Sequence, residues 1–108
     1  MSGVRWGVSA LVLVGCAEPG PWDHVLSLDG DVAAGSEIYE MRCSGCHGDD
    51  GEGGFGPALA ETAPNTSDEA LLEVIVYGDT GMPAYDGILS DQEQADILAY
   101  LRDTFGVP

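Results

Sequence analysis

Two thiols and an imidazole stand together at Cys43-Ser44-Gly45-Cys46-His47. Three chemistries use paired cysteines at this spacing. A thioredoxin-like redox disulfide needs βαβ surroundings, and no such pattern flanks the pair. A structural zinc site needs a further pair of Cys or His ligands, and Cys16 and His24 are all that remain. The third chemistry is haem attachment, for which C-x-x-C-H is the signature. Thiols three positions apart at the end of a helix reach the two vinyl groups on one porphyrin edge. The next residue, His47, is then directed beneath the iron as its proximal ligand. The motif is read as the attachment site of one haem c through Cys43 and Cys46.

The sixth ligand decides what such an iron can do. Of the three methionines, Met1 belongs to the expected signal of residues 1–15 and leaves with it. Met41 is two positions before Cys43, too close to the attachment edge to reach the far face, and is expected in the core. Met82 sits in the loop Gly81-Met82-Pro83, separated from His47 by a predicted helix that lets the chain wrap to the opposite face. His/Met ligation fills both axial positions and raises the potential. It leaves no position for a substrate, which favours electron transfer over catalysis.

Helices and loops must place these groups. Val32, Gly35, Ile38, Tyr39 and Arg42 recur at helical spacing, predicting a helix from about Asp31 to Cys43. Residues 44–65 are glycine-rich, with Pro57 and Pro64, and read as loop. Thr66-Ser67-Asp68-Glu69 matches a capping box and opens a second helix, whose Leu71, Leu72, Ile75 and Val76 pair at i,i+4 and which Gly78 closes. A second box, Ser90-Asp91-Gln92-Glu93, opens a last helix to about Thr104, with Ile97, Leu98, Leu101 and Phe105 as its stripe. No alternating strand is visible, so the fold class is all-α. Three short helices bury little apolar area by themselves. A macrocycle packed between them supplies the missing centre, and no disulfide is expected.

The chain has 19 acids and 3 bases, a formal charge of −16, and this excludes binding to phosphate backbones. Arg5 precedes an apolar run from Trp6 to Val14, too short to span a bilayer and fitting a secretory signal. The end of that run, Leu13-Val14-Gly15-Cys16, resembles the lipobox of bacterial lipoproteins. The resemblance implies cleavage after residue 15 and a lipid on Cys16, hence an exported protein held at a membrane on the periplasmic or cell-surface side. Residues 16–30 then form the lipidated cysteine and a flexible tether, reaching at most about 50 Å, and residues 31–108 the domain. His24 in the tether is read as solvated. The acids of Gly48-Asp49-Asp50-Gly51-Glu52 lack EF-hand spacing and are read as a solvated loop. Arg42 is either a haem-propionate partner or an exposed helix-end cation.

From about Gly30 onward the chain resembles class I cytochrome c. The resemblance rests on Gly35 and Tyr39, Cys43-Ser44-Gly45-Cys46-His47, Gly56-Pro57 with Leu59, Gly81-Met82-Pro83-Ala84-Tyr85, and Leu98, Tyr100 and Leu101 in the last helix. It implies a cytochrome c-like fold of about three main helices around one haem. It also implies that the first and last helices cross at Gly35 and Tyr39 against Tyr100 and Leu101. The Pro57 carbonyl is implied to accept the second N–H of His47. The expected function is one-electron transfer between redox-protein partners, at least one carrying a basic docking patch, with no small-molecule substrate. A haem-based gas or redox sensor, or a small haem enzyme subunit with labile Met82, is the alternative. Many members ring the haem edge with lysines; this chain has none.

Overall fold

The computed structural model describes residues 20–108; the expected signal segment (residues 1–15) and the expected lipid site Cys16 lie outside them. Five α-helical segments and two tighter or wider turns precede one long helix. They are α1 (Asp23–Ser27), α2 (Val32–Ile38), a π-helical turn (Tyr39–Cys43), α3 (Ser44–His47), α4 (Leu59–Thr62), a 3-10 turn (Ala63–Asn65), α5 (Asp68–Tyr77) and α6 (Asp91–Phe105). Among the described residues there is no strand, and a lone bridge joins Asp79 to Met82. The all-α expectation holds.

Caps explain where the longer helices begin. The Asp31 carboxylate accepts from the amides of Ala33 and Ala34 at the start of α2. Ser90 and Glu93 form the reciprocal capping box expected for α6. At α5 the box is one-sided. Ser67 accepts from the amide of Ala70 at 3.1 Å, but the third helical position is Ala70, which has no carboxylate to return. Gly78 and Gly106 close α5 and α6.

The first helix differs from expectation in two ways. Its ladder widens over Tyr39–Cys43 and then continues as α3 to His47, where the amide of Gly48 bonds to the carbonyl of Ser44 at 2.8 Å. The cysteines and His47 therefore ride on helix rather than following it. The wide turn changes which side chains face inward: Tyr39 is buried, while Met41 is 75% exposed and is not in the core as expected. Residues 44–65 also hold more structure than a loop. Pro64 is tolerated there because it occupies the first positions of a new 3-10 turn, where an N–H has no helical partner to lose.

Within the expected tether, α1 forms and buries Val25 against Leu71, Leu72, Ala95 and Leu98. Five residues are too few to display a period, so no sequence pattern marks this helix. His24 is exposed, with its ring 3.6 Å from the Asp91 carboxylate.

Helices α2 and α6 cross in close contact. A Cβ on Gly35 would lie 2.0 Å from the Asp96 carbonyl and 2.8 Å from the Cβ of Tyr100, so any larger residue separates the helices. The rings of Tyr39 and Tyr100 are 5.1 Å apart beside this crossing. Asp96, itself buried, accepts from the Asp31 amide at 2.8 Å and ties the two helices again. One core cluster gathers Ile38, Tyr39, Ile75, Tyr85, Leu89, Ile97 and Leu101, with Cys43, Leu59 and Met82 packed on its margin.

Candidate haem-binding site

A cavity of ≈ 330 Å³ opens beside this cluster. Cys43, Cys46, His47, Pro57 and Met82 all line it, together with the apolar side chains of Leu59, Leu71, Ile75, Ile97 and Leu101. Residues far apart in sequence thus meet around one space: the cysteines and His47 from α3 and the preceding turn, Pro57 from the glycine-rich segment, and Met82 from the loop after α5.

His47 is held firmly. Its ring is buried, and Nδ1 lies 2.9 Å from the Pro57 carbonyl oxygen. A carbonyl accepts and cannot donate, so Nδ1 is the donor in this bond and Nε2 is the nitrogen left to face the cavity's other groups. No hydrogen bond to Nε2 is found among the described residues. Backbone bonds fix the surrounding segment: the Gly53 amide donates to the His47 carbonyl at 2.7 Å and the Gly56 amide to the Cys46 carbonyl at 2.9 Å. Gly56 leaves the ring its room, since a Cβ there would be 2.8 Å from His47 Cε1.

Met82 is half-buried and held differently. Asp79 and Met82 exchange backbone hydrogen bonds at 2.8 and 3.1 Å. Tyr85 then anchors the segment: its amide donates to the Ile75 carbonyl at 3.2 Å and its hydroxyl to the Arg42 carbonyl at 2.9 Å. Arg42 is exposed and lies over the Tyr85 ring, 5.8 Å from its centroid.

Burial shifts three groups around the cavity. It pushes the Tyr39 hydroxyl up to about 12 and raises that of Tyr85. It pushes the Cys43 thiol up to about 11, against the pull of Arg42. A redox-active thiol needs its thiolate favoured, so Cys43 is displaced away from disulfide-exchange chemistry. Both cysteines are free thiols, Cys43 half-buried and Cys46 exposed. Among the described residues, no group of three or more His, Cys, Asp and Glu is arranged to hold a metal ion.

These residues fit haem c. The two thiols share a cavity with a buried imidazole whose Nε2 has no hydrogen-bond partner among the described residues, and the rest of the lining is mainly apolar. Sequence reasoning did not find the segment Leu59–Asn65 as a wall, although Leu59, Thr62 and Thr66 line the cavity. Nor did it assign Arg102, whose guanidinium bonds to that segment. Its one signal was scarcity, as Arg102 is one of 3 bases in the chain.

Comparisons with known proteins give the family. The family described as "Cytochrome C oxidase, cbb3-type, subunit III" matches residues 30–101. A cytochrome c-553-like protein of Synechocystis is 35% identical over 73% of this chain and 74% of its own. Cytochrome c-551 of Bacillus subtilis is 35% identical over 67% of this chain, which spans 62% of that protein. The crystal structure of cytochrome c6 from the diatom Phaeodactylum tricornutum superposes with a TM-score of 0.59 at 30% identity, covering 70% of this chain and 95% of that one. The chain belongs to the cytochrome c family, and with that membership comes covalently bound haem c, for which Cys43 and Cys46 are present.

Proposed function

We propose that this protein is a one-electron carrier holding a single haem c through Cys43 and Cys46, with His47 and Met82 as the axial ligands. Haem c, when bound, supplies a one-electron iron couple. The observation that carries the reading is His47: buried, with Nδ1 held by the Pro57 carbonyl and Nε2 unpartnered in the cavity that Met82 also lines. The Pro57 bond fixes the ring plane and makes the imidazole a better donor. The lining is mainly apolar, and with Met82 as the second axial ligand no position on the iron is left for a substrate. On this reading the protein is not an enzyme, and its partners are a redox donor and acceptor.

The absorption spectrum of the haem-loaded protein tests this, before and after CO is added to the reduced form. A low-spin spectrum with the sulfur-to-iron charge-transfer band, unchanged by CO, is expected. A high-spin spectrum or prompt CO uptake overturns Met82 as a ligand and turns the reading to a gas or redox sensor. That second reading draws on the lightly held Asp79–Met82 loop.

The placement at a membrane is a further part of the proposal. It rests on Leu13-Val14-Gly15-Cys16, with lipid on Cys16. No helix among the described residues is long and apolar enough to cross a membrane. Helix α1 begins at Asp23 and is docked through Val25, so packed structure begins ahead of the expected boundary at residue 31. Mass spectrometry of the membrane fraction tests the lipid: an N-terminal acylated Cys16 is expected, and an unmodified soluble protein overturns it. For partner docking, the −16 charge favours a basic patch on at least one partner. Electron-transfer rates that fall as salt rises support this, and salt-independent rates favour surface acidity as an adaptation to a saline medium.

A further inference from the structure

Arg102, in the last turn of α6, has 11% of its side chain exposed and spends every nitrogen on one neighbourhood. Its Nε donates to the Asp68 carboxylate at 2.7 Å. One terminal nitrogen donates to the carbonyls of Ala63 at 2.6 Å and Gly106 at 3.1 Å, and the other to the carbonyl of Thr66. The residues it reaches are the end of the Leu59–Asn65 wall and the first turn of α5. This wall starts two positions after Pro57, whose carbonyl holds the His47 ring. It is otherwise tied to the body by few long-range bonds, such as the Ala60 amide to the Gly51 carbonyl at 3.2 Å, and by burial of Ala63.

We infer that Arg102 is a positioning residue for the axial histidine: by clamping the carbonyls of Ala63 and Thr66 to α6, it sets the approach of the Pro57 carbonyl to His47 Nδ1. This rests on His47 being the ligand proposed above. A planar guanidinium with donors in a fixed fork satisfies a carboxylate and three carbonyls at once. A lysine ammonium on its flexible stem keeps the charge but cannot span the same set. With the clamp loosened, the wall relaxes, the Nδ1–H···O bond lengthens and the imidazole becomes a poorer donor. A poorer donor favours the reduced form.

The test is Arg102→Lys in the haem-loaded protein. It holds net charge constant, so any change in potential is not a simple charge effect. Asp68→Asn is the companion, because it removes the ion pair and leaves the three carbonyl bonds. Three readouts are taken: the potential, the exchange rate of the His47 Nδ1 proton by NMR, and amide exchange at Thr66, whose N–H bonds to the Ala63 carbonyl at 3.2 Å. For Arg102→Lys, the oxidised-to-reduced ratio at fixed poise falls about twofold, which is a rise in potential of ~18 mV at 59 mV per tenfold for one electron. Exchange of both protons speeds up in parallel, while Asp68→Asn leaves the His47 proton and the spectrum as in the parent. A folded Arg102→Lys protein with an unchanged potential and an unchanged His47 proton overturns the inference, even if its melting temperature falls. The ligand reading has its own control: His47→Ala that keeps the parent spectrum overturns His47 as a ligand, whatever Arg102→Lys does.

Discussion

The wall that carries His47 and the wall that carries Met82 enclose the same cavity by different means. The first is crossed by backbone bonds from Gly53 to His47 and from Gly56 to Cys46, and Pro57 holds the ring itself. The second hangs between the end of α5 and Tyr85, with the reciprocal Asp79–Met82 pair as its internal brace. Close packing also differs. At Gly56 an added Cβ would press on the His47 ring, whereas at Gly81 it would meet nothing within 4 Å. One side of the site is held by several converging bonds, and the other by fewer. On the proposed His47/Met82 ligation, ligand exchange belongs to the Met82 side.

Mutations on the two walls break this contrast if it is wrong. The largest effect is expected from Gly56→Val. Overpacking costs about 1–3 kcal/mol, and here it falls on the His47 ring; the fraction of chains loaded with haem, read from haem stain per total protein, drops by about tenfold or more. Met82→Ala comes next. The folded, loaded protein loses the sulfur-to-iron band and takes up CO when reduced, while the His47 Nδ1 proton stays as protected as in the parent. A His47 proton that becomes exposed in this variant means the two walls are coupled after all.

Smaller effects sharpen the comparison. Gly81 has φ +79 and open space around it, so Gly81→Ala meets backbone strain alone. That strain is about 1–2 kcal/mol, and thermal unfolding should fall by roughly 4–8 °C per kcal/mol with the spectrum intact. The least effect at neutral pH is that of Tyr39→Phe, which gives up one hydroxyl bond to the Gly48 carbonyl, about 1 kcal/mol. Its mark is in alkali. The Tyr39 hydroxyl is raised from 10.0 to about 12, chiefly by burial, so the unfolded chain loses that proton before the folded one does. Its contribution is whole below pH 10 and is lost as pH rises through about 12. Urea unfolding at a series of pH values should therefore show a shallower alkaline decline for Tyr39→Phe than for the parent.

Much of the frame was legible in the residues because it follows local rules. Ser90 and Glu93 form their box, and the stripe of Ile97, Leu98 and Leu101 is buried, since capping and amphipathic spacing are decided within a few positions. Gly35 opposite Tyr100 followed from the family resemblance, and the structure supplies the reason in a Cβ with no room. Other features escaped for equally physical reasons. Helix α1 is too short to show a period and is stabilised by Val25 burying itself in a distant cluster. The π turn adds no residue type that marks it, yet it turns Met41 to solvent and carries the helix through Cys46 to His47. The Leu59–Asn65 wall holds a proline where loops hold prolines too.

The sequence by itself determined the chemical inventory: two thiols and an imidazole at haem-attachment spacing, a methionine in the segment Gly81-Met82-Pro83, a strongly acidic composition, and an apolar run near the N-terminus. These are properties of side chains and of short-range spacing, and they survive without a fold. The tertiary structure alone decided which backbone carbonyls those side chains meet. Pro57 holds Nδ1, Arg42 receives Tyr85, and Ala63, Thr66 and Gly106 share Arg102. Every residue carries the same carbonyl, so no residue type announces which one a distant donor will reach; only the packing of α2 against α6, with the loops drawn around it, makes the choice.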